Sequence, residues 1–238
     1  MKAMIFAAGL GSRLKPWTDF HPKALALVNG KSLLQRNIEY LQQFGIRDVI
    51  VNVHHFADQV VQAIDQQHGW GSRVSISDET DEVLETGGGL KKAAAYFAGE
   101  KDFVVMNADI LTQLDLGAMI QKHRSGNALA TLAVSVRETS RYFLFDEENI
   151  LSGWENVKTG EERIVRKKTP LFRKAFSGIH VINTSLLSLI TQTGKFSMVD
   201  VYLDLAKDHS ISCYDHTGAV LIDVGKPENI QKAEALFP

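Results

Sequence analysis

Short apolar runs alternate with segments of helical period along the first half of the chain. Residues 4–8 form the first run and predict a buried strand. Residues 33–44 place Leu34, Ile38 and Leu41 on one face, with Ser32 as N-cap and Gly45 as stop, and predict a helix. A second buried strand is expected over 48–53 and a helix over 57–68, with Val60, Val61 and Ile64 on its inner face. Gly69-Trp70-Gly71 breaks that helix, and 73–77 reads as a third strand. The acidic segment 78–85 reads as a polar loop leading into Thr86-Gly87-Gly88-Gly89. A helix over 90–97, a strand over 103–107 and a helix over 114–124 follow. This alternation predicts an α/β fold, a three-layer, doubly wound, mostly parallel sheet with helices on both faces. In such sheets ligands bind beyond the carboxyl ends of the strands.

After residue 128 the pattern turns β-rich. Strands are expected over 128–137, 142–146 and 150–154, the last two flanking a hairpin-like turn at Glu147-Glu148-Asn149. Residues 155–174 are polar and carry the cluster Arg166-Lys167-Lys168; 175–182 returns as a strand containing Gly178. Helices over 185–191 and 199–208, strands over 211–214 and 220–224 and a helix over 227–236 complete the chain. With no repeat or clear linker, the expectation is one domain: a first half, 1–137, a β-rich insertion, 138–184, laid over its mouth, and a return, 185–238.

Bulk properties narrow the classes. A net charge of -2 over 238 residues argues against a nucleic-acid surface or a basic membrane patch. Cys213 is the only cysteine, so no internal disulfide is expected. No apolar run approaches the roughly 20 residues of a membrane span, and the cytoplasm is the expected location.

The candidate chemistry sits at predicted strand ends. Gly9-Leu10-Gly11-Ser12-Arg13 follows the first strand, and Lys23 follows it past a proline-bounded stretch. Small residues let backbone N–H groups close on phosphate oxygens, and Arg and Lys neutralise them. The dinucleotide fingerprint fails because Leu14 stands where a third glycine is required, and no Gly-Lys-Ser/Thr marks a P-loop. Asp109 follows the fourth long strand, and Asp223 interrupts an apolar run near the C-terminus. Two carboxylates at such places suit Mg²⁺ shared with substrate phosphates. The triple glycine suggests close backbone approach to a base or ribose. His54-His55, the acidic loop, the basic cluster and Cys213 are read as structural or solvated.

Together, Gly9-Leu-Gly-Ser-Arg13-Leu-Lys-Pro16 with Thr18 and Pro22-Lys23, Leu84-Glu-Thr-Gly-Gly-Gly89, Asn107-Ala-Asp109, Phe176-Ser-Gly-Ile-His180 and Ile222-Asp-Val-Gly225 resemble the sugar-1-phosphate nucleotidylyltransferases in order and content. The short length and the Leu84–Gly89 run look most like the N-acetylmuramate-1-phosphate uridylyltransferases; short mannose- and heptose-1-phosphate guanylyltransferases look similar. Ala24 and Ala108 depart from the family's proline and glycine, and Lys226 stands where its Trp-x-Asp-x-Gly-Thr pattern ends in threonine. The resemblance implies a Rossmann-like nucleotidyltransferase fold with a small β-rich sugar-binding insertion. It implies a reaction between an NTP, UTP in first place, and a sugar 1-phosphate.

Arg13, Lys23 and Asp109 would be catalytic, with Mg²⁺ on Asp109 and Asp223. The nucleotide would meet Ala8, Gly9, Gly11, Ser12, Arg13, Lys23, Glu85, Thr86, Gly87 and Asn107. The sugar phosphate would meet Gly153, Glu155, Lys158, Ser177 and Gly178, with Lys167 or Lys168 as alternatives to Lys158. No hexapeptide-repeat segment that trimerises some relatives is present, so a monomer or small homo-oligomer is expected. A non-catalytic nucleotide-sensing relative and a nicotinamide-dependent oxidoreductase are the readings from other classes.

Overall fold

The apolar run near the N-terminus becomes the middle of a ten-stranded sheet. The structure, a computed structural model, describes residues 1–238. Strand β1 (Ala3–Phe6) opens the chain; a ribbon of β2 (Leu27–Val28) and β3 (Lys31–Ser32) precedes helix α1 (Leu33–Gln43). Then come β4 (Asp48–Val53), α2 (Ala57–Gln66), β5 (Arg73–Asp78), α3 (Glu85–Lys92), β6 (Asp102–Asn107), β7 (Ile110–Thr112) and α4 (Leu116–Ser125). The second half holds β8 (Ala130–Ser135), β9 (Arg141–Phe145), β10 (Leu151–Asn156), β11 (Glu161–Ile164) and β12 (Phe172–Asn183). It ends with α5 (Leu186–Leu189), α6 (Met198–Leu205), β13 (Ile211–Asp215), β14 (Leu221–Asp223) and α7 (Pro227–Leu236).

The sheet runs β11-β10-β9-β12-β6-β1-β4-β5, and β8 pairs with β12 and β13. Strand β1 pairs in parallel with β4 and β6, and β4 with β5. Both faces of β1, β4 and β6 are covered, which is why these three strands are largely apolar, whereas the edge strand β5 is not. Ile5, Val49 and Val51 pack among Leu34, Ile38 and Met119 on one side. Met4, Ile50 and Val105 share the other core with Leu90, Phe97, Val201 and Tyr202. The mixed three-layer architecture around a parallel core, β6-β1-β4-β5, is the expected one. Ser32 caps α1 as expected, its hydroxyl accepting from the Gln35 N–H at 3.0 Å.

The short strands β2, β3 and β7 were not expected, and two larger features also differ. The helix expected over 90–97 starts at Glu85 and takes the triple glycine into its first turns, and residues 94–97 form a separate 3₁₀ turn. Packing overrides helix propensity here. A Cβ on Gly87 would lie 2.4 Å from the Phe196 ring, and one on Gly88 2.5 Å from the Gly194 carbonyl oxygen. The glycines let α3 press against residues 194–196. The β-rich insertion, expected as a cover over the mouth, extends the main sheet instead. Strand β9 pairs with β12, β10 with β9, and β11, unread in the polar stretch, with β10.

Gly88→Ala is therefore expected to destabilise the fold by about 1–3 kcal/mol, the ordinary cost of overpacking. An unchanged urea midpoint would refute the close packing of α3.

Candidate active site

The site is built where β1, β6 and β14 end. After β1, the Ala7 N–H donates to the Asn52 side-chain oxygen at 2.7 Å, which turns the chain into the Gly9–Arg13 loop. No turn or loop hydrogen bond uses the N–H groups of Ala8 to Arg13; the loop closes by the Leu14 N–H donating to the Gly11 carbonyl. Gly11 has φ +62°, and a Cβ there would lie 2.9 Å from both Lys23 Cβ and Thr18 Cγ2. That contact seats Lys23 directly behind the loop. Free N–H donors backed by two cations form an anion cradle.

Strands β7 and β14 join the distant parts. They pair antiparallel, with Asp223 opposite Ile110, and the Val224 N–H donates to the Asp109 carbonyl at 2.8 Å. Asp109 and Asp223 thereby reach one charge cluster. The Lys23 ammonium is ion-paired to Asp109. Arg13 Nη2 lies 3.9 Å from Asp109 Oδ2 and 3.6 Å from Asp223 Oδ2. The Lys23 side chain is 13% exposed against 56% for Arg13, so Lys23 is the fixed member and Arg13 the one free to follow a ligand. A Cβ on Gly225 would fall 2.5 Å from Asp223 Oδ1 and 2.6 Å from Arg13 Nη2, so this approach needs glycine.

A cavity of about 510 Å³ opens beside the cluster. Of the residues expected to meet a nucleotide, Ala8, Gly9, Gly11, Ser12, Arg13, Lys23, Glu85, Thr86 and Asn107 line it, as does Asp109. Gly87 does not. Its N–H donates to the Phe196 carbonyl and its space is filled by the Phe196 ring, so its smallness serves packing.

Asn52, Glu79 and Lys195 also line the cavity and were not read from the sequence as site residues. Glu79 is almost fully buried, and its carboxylate accepts from the Asn52 amide at 2.7 Å. Burial raises the Glu79 pKa, and the Asn52 hydrogen bond opposes the rise. The only sequence signal was Asn52, a polar residue inside the apolar run 49–53. Lys195 closes the rim through an ion pair to Glu85 at 3.6 Å.

None of the five residues expected to meet the sugar phosphate lines this cavity. Gly153 lies within β10, where a Cβ would come 2.8 Å from the Arg163 carbonyl oxygen. Glu155 is held by the fork of Arg173. Lys158 projects from the exposed turn after β10. The Ser177 hydroxyl pairs with His216 Nε2 at 2.7 Å. Gly178, at φ +73°, lies nearest, with a Cβ position 2.8 Å from the Asn107 amide nitrogen.

For a metal, no three His, Cys, Asp or Glu side chains gather into a cage. Asp109 and Asp223 nevertheless bring two carboxylates to one cluster, and Asp223 Oδ1 is buried with no hydrogen-bond partner. Two carboxylates completed by phosphate oxygens and water are the donor set Mg²⁺ takes, so the residues fit an ion held jointly with a nucleotide. No helix is long and apolar enough to cross a membrane.

The chain is similar to known proteins along its whole length. Mannose-1-phosphate guanyltransferase of Yarrowia lipolytica is 26% identical over 241 residues, covering 100% of this chain and 64% of the relative. N-acetylmuramate alpha-1-phosphate uridylyltransferase of Caulobacter vibrioides is 41% identical over 120 residues, 50% of this chain and 49% of the relative. The chain thus spans about half to two thirds of the length of these curated relatives. Among solved structures, HddC of Yersinia pseudotuberculosis complexed with GMP-PN matches with a TM-score of 0.77 at 25% identity, covering 100% of this chain and 99% of that one. The model of the Nucleotidyl transferase family matches residues 2–235, a span that includes every member of the charge cluster, and the chain belongs to that family.

Proposed function

We propose that the chain joins an NTP to a sugar 1-phosphate, forming a nucleoside diphosphate sugar and pyrophosphate. One observation carries this reading: Arg13, Lys23, Asp109 and Asp223 meet at the mouth of a nucleotide-sized cavity. A phosphate oxygen of the acceptor attacks the α-phosphorus in line. The bond to the bridging α–β oxygen breaks, and its electron pair leaves with pyrophosphate.

Both reactants are anions, so catalysis is positioning and charge neutralisation. Lys23 holds the α-phosphate side, and Arg13, the more exposed cation, follows the leaving pyrophosphate. Asp109 and Asp223 would hold Mg²⁺, which when bound would supply further neutralisation and polarise the phosphate oxygens. No general base is needed, because the acceptor phosphate is already ionised. Ala8, Gly9, Asn52 and Glu79 face the base and ribose. An accepting Glu79 carboxylate suits an N–H edge, as in uracil or guanine.

Within this reaction class, the favoured pair is UTP with N-acetylmuramate 1-phosphate, in recycling of cell-wall sugar in the cytoplasm. The Leu84–Gly89 run and the 41% identity to the Caulobacter uridylyltransferase support it. A second reading is guanylyl transfer to mannose or heptose 1-phosphate. It is favoured by the match of the whole chain to 64% of the Yarrowia enzyme and by the likeness to a structure holding GMP-PN. A nucleotide-sensing relative without turnover is disfavoured by the complete charge cluster.

Pyrophosphate release across four NTPs and N-acetylmuramate, mannose, glucose and heptose 1-phosphates tests these readings. UTP with N-acetylmuramate 1-phosphate is expected to be fastest. A GTP preference would replace the substrates, and silence across the matrix would overturn the reaction. Lys23→Ala and Asp109→Ala should each lower kcat on the order of 10²-fold with unfolding midpoints preserved, as for other electrostatic stabilisers. Wild-type turnover in either would remove that residue from the mechanism. EDTA should abolish activity and Mg²⁺ restore it; full activity in EDTA would free both aspartates from a metal role.

A further inference from the structure

The proposed reaction leaves a charge unaccounted for. Arg13 and Lys23 serve the triphosphate, yet the acceptor brings a second phosphate to the same place. Three of the insertion's eight cations are committed elsewhere. Arg173 grips Glu155, Arg163 pairs with Asp200 and Lys174 pairs with Asp215. Lys158, Lys167 and Lys168 are exposed on connecting segments and border neither this cavity nor the concavity next to it.

Arg137, just past β8, differs from all of these. Its guanidinium donates one hydrogen bond, from Nη2 to the Phe176 carbonyl at 2.8 Å. That bond anchors it where β12 slips register against β8, between Phe176 and His180. Its Nε and Nη1 have no partner within the protein, and it forms no ion pair. The stretch it is anchored to continues into Ser177, held by His216, and Gly178, which lies against Asn107 of the nucleotide cavity.

Arg137 also borders a second concavity, of about 630 Å³, together with Asp223, Leu221, Asn229 and Lys232. Asp223 is the shared wall: Arg13 reaches it from the nucleotide cavity, and Arg137 stands in the adjoining one. A guanidinium anchored through one nitrogen, with others free, presents a fork that matches two phosphate oxygens.

We propose that Arg137 binds the phosphate of the sugar 1-phosphate, which enters through the concavity beside Asp223. This rests on the proposed reaction and names a binding residue that the insertion's lysines do not supply. The acceptor phosphate then lies between Arg137 and the Asp109–Asp223 pair.

The test is calorimetric titration of N-acetylmuramate 1-phosphate, mannose 1-phosphate and inorganic phosphate into protein loaded with Mg²⁺ and a non-hydrolysable NTP analogue. It compares wild type, Arg137→Met and Arg137→Lys. Acceptor affinity is expected to fall about 10- to 100-fold in Arg137→Met, the range for a lost charge-assisted pair, and less in Arg137→Lys. Affinity for the NTP analogue is expected to stay within about twofold. Unchanged acceptor affinity in both variants, or an equal loss for NTP and acceptor, would overturn the assignment. If Arg137→Met fails to fold, the comparison of Arg137→Lys with wild type decides by the same criteria. Absence of pyrophosphate release by wild type would instead overturn the reaction, and the binding comparison does not depend on turnover.

Discussion

The site depends on one ladder of three residue pairs. Strands β7 and β14 pair from Leu221–Thr112 to Asp223–Ile110, and the Val224 N–H bonds the Asp109 carbonyl. Without that ladder, the two aspartates belong to unrelated parts of the chain. With it, two acids and two cations meet in a self-neutralising cluster. Such a cluster is costly to desolvate but internally compensated, and its two cations and two acids would each find a partner in a metal–triphosphate complex. The geometry is thus stable alone and complementary to a ligand of both signs.

Much of this was legible. Gly11, Arg13, Lys23, Asp109 and Asp223 betray themselves because glycine and charge at the ends of apolar runs are otherwise unfavourable. The alternation of periods was enough for the parallel core, since a strand buried on both faces must be continuously apolar. What escaped was set by contacts between segments far apart in sequence. Gly87 and Gly88 read as a ligand-facing loop, yet their lack of a Cβ is used by Phe196 and Gly194, which nothing local announces. Glu79 was hidden among acids of the segment 78–85, where only burial and the Asn52 hydrogen bond set it apart.

The insertion was the least legible part for a related reason. Strand β11 is polar because it forms one end of the sheet, and the first residues of β12 are polar because they run out beyond β8, in each case with a single neighbouring strand and a wet surface. Their composition looks like loop. The charges there are mostly consumed in holding the edge together: Arg173 on Glu155 joins β12 to β10, and Arg163 on Asp200 joins β11 to α6. Of the residues assigned substrate contacts by charge, Glu155 is already engaged by Arg173, and Lys158, Lys167 and Lys168 stand exposed on connecting segments.

This sorting by engagement separates structural from available charge across the molecule. Overall charge is nearly balanced, so attraction of a polyanion must come from cations with nitrogens to spare. Lys23 is nearly enclosed but faces the cavity; Arg13 touches its acids only at 3.6–3.9 Å; Arg137 is fastened by a carbonyl rather than an acid. A carbonyl anchor orients a guanidinium without neutralising it. Arg137 thus keeps its full charge for a ligand, whereas Arg173, forked onto Glu155, must break an ion pair before it can bind one. On physical grounds an anion entering the concavity beside Asp223 is drawn to the wall that carries Arg137.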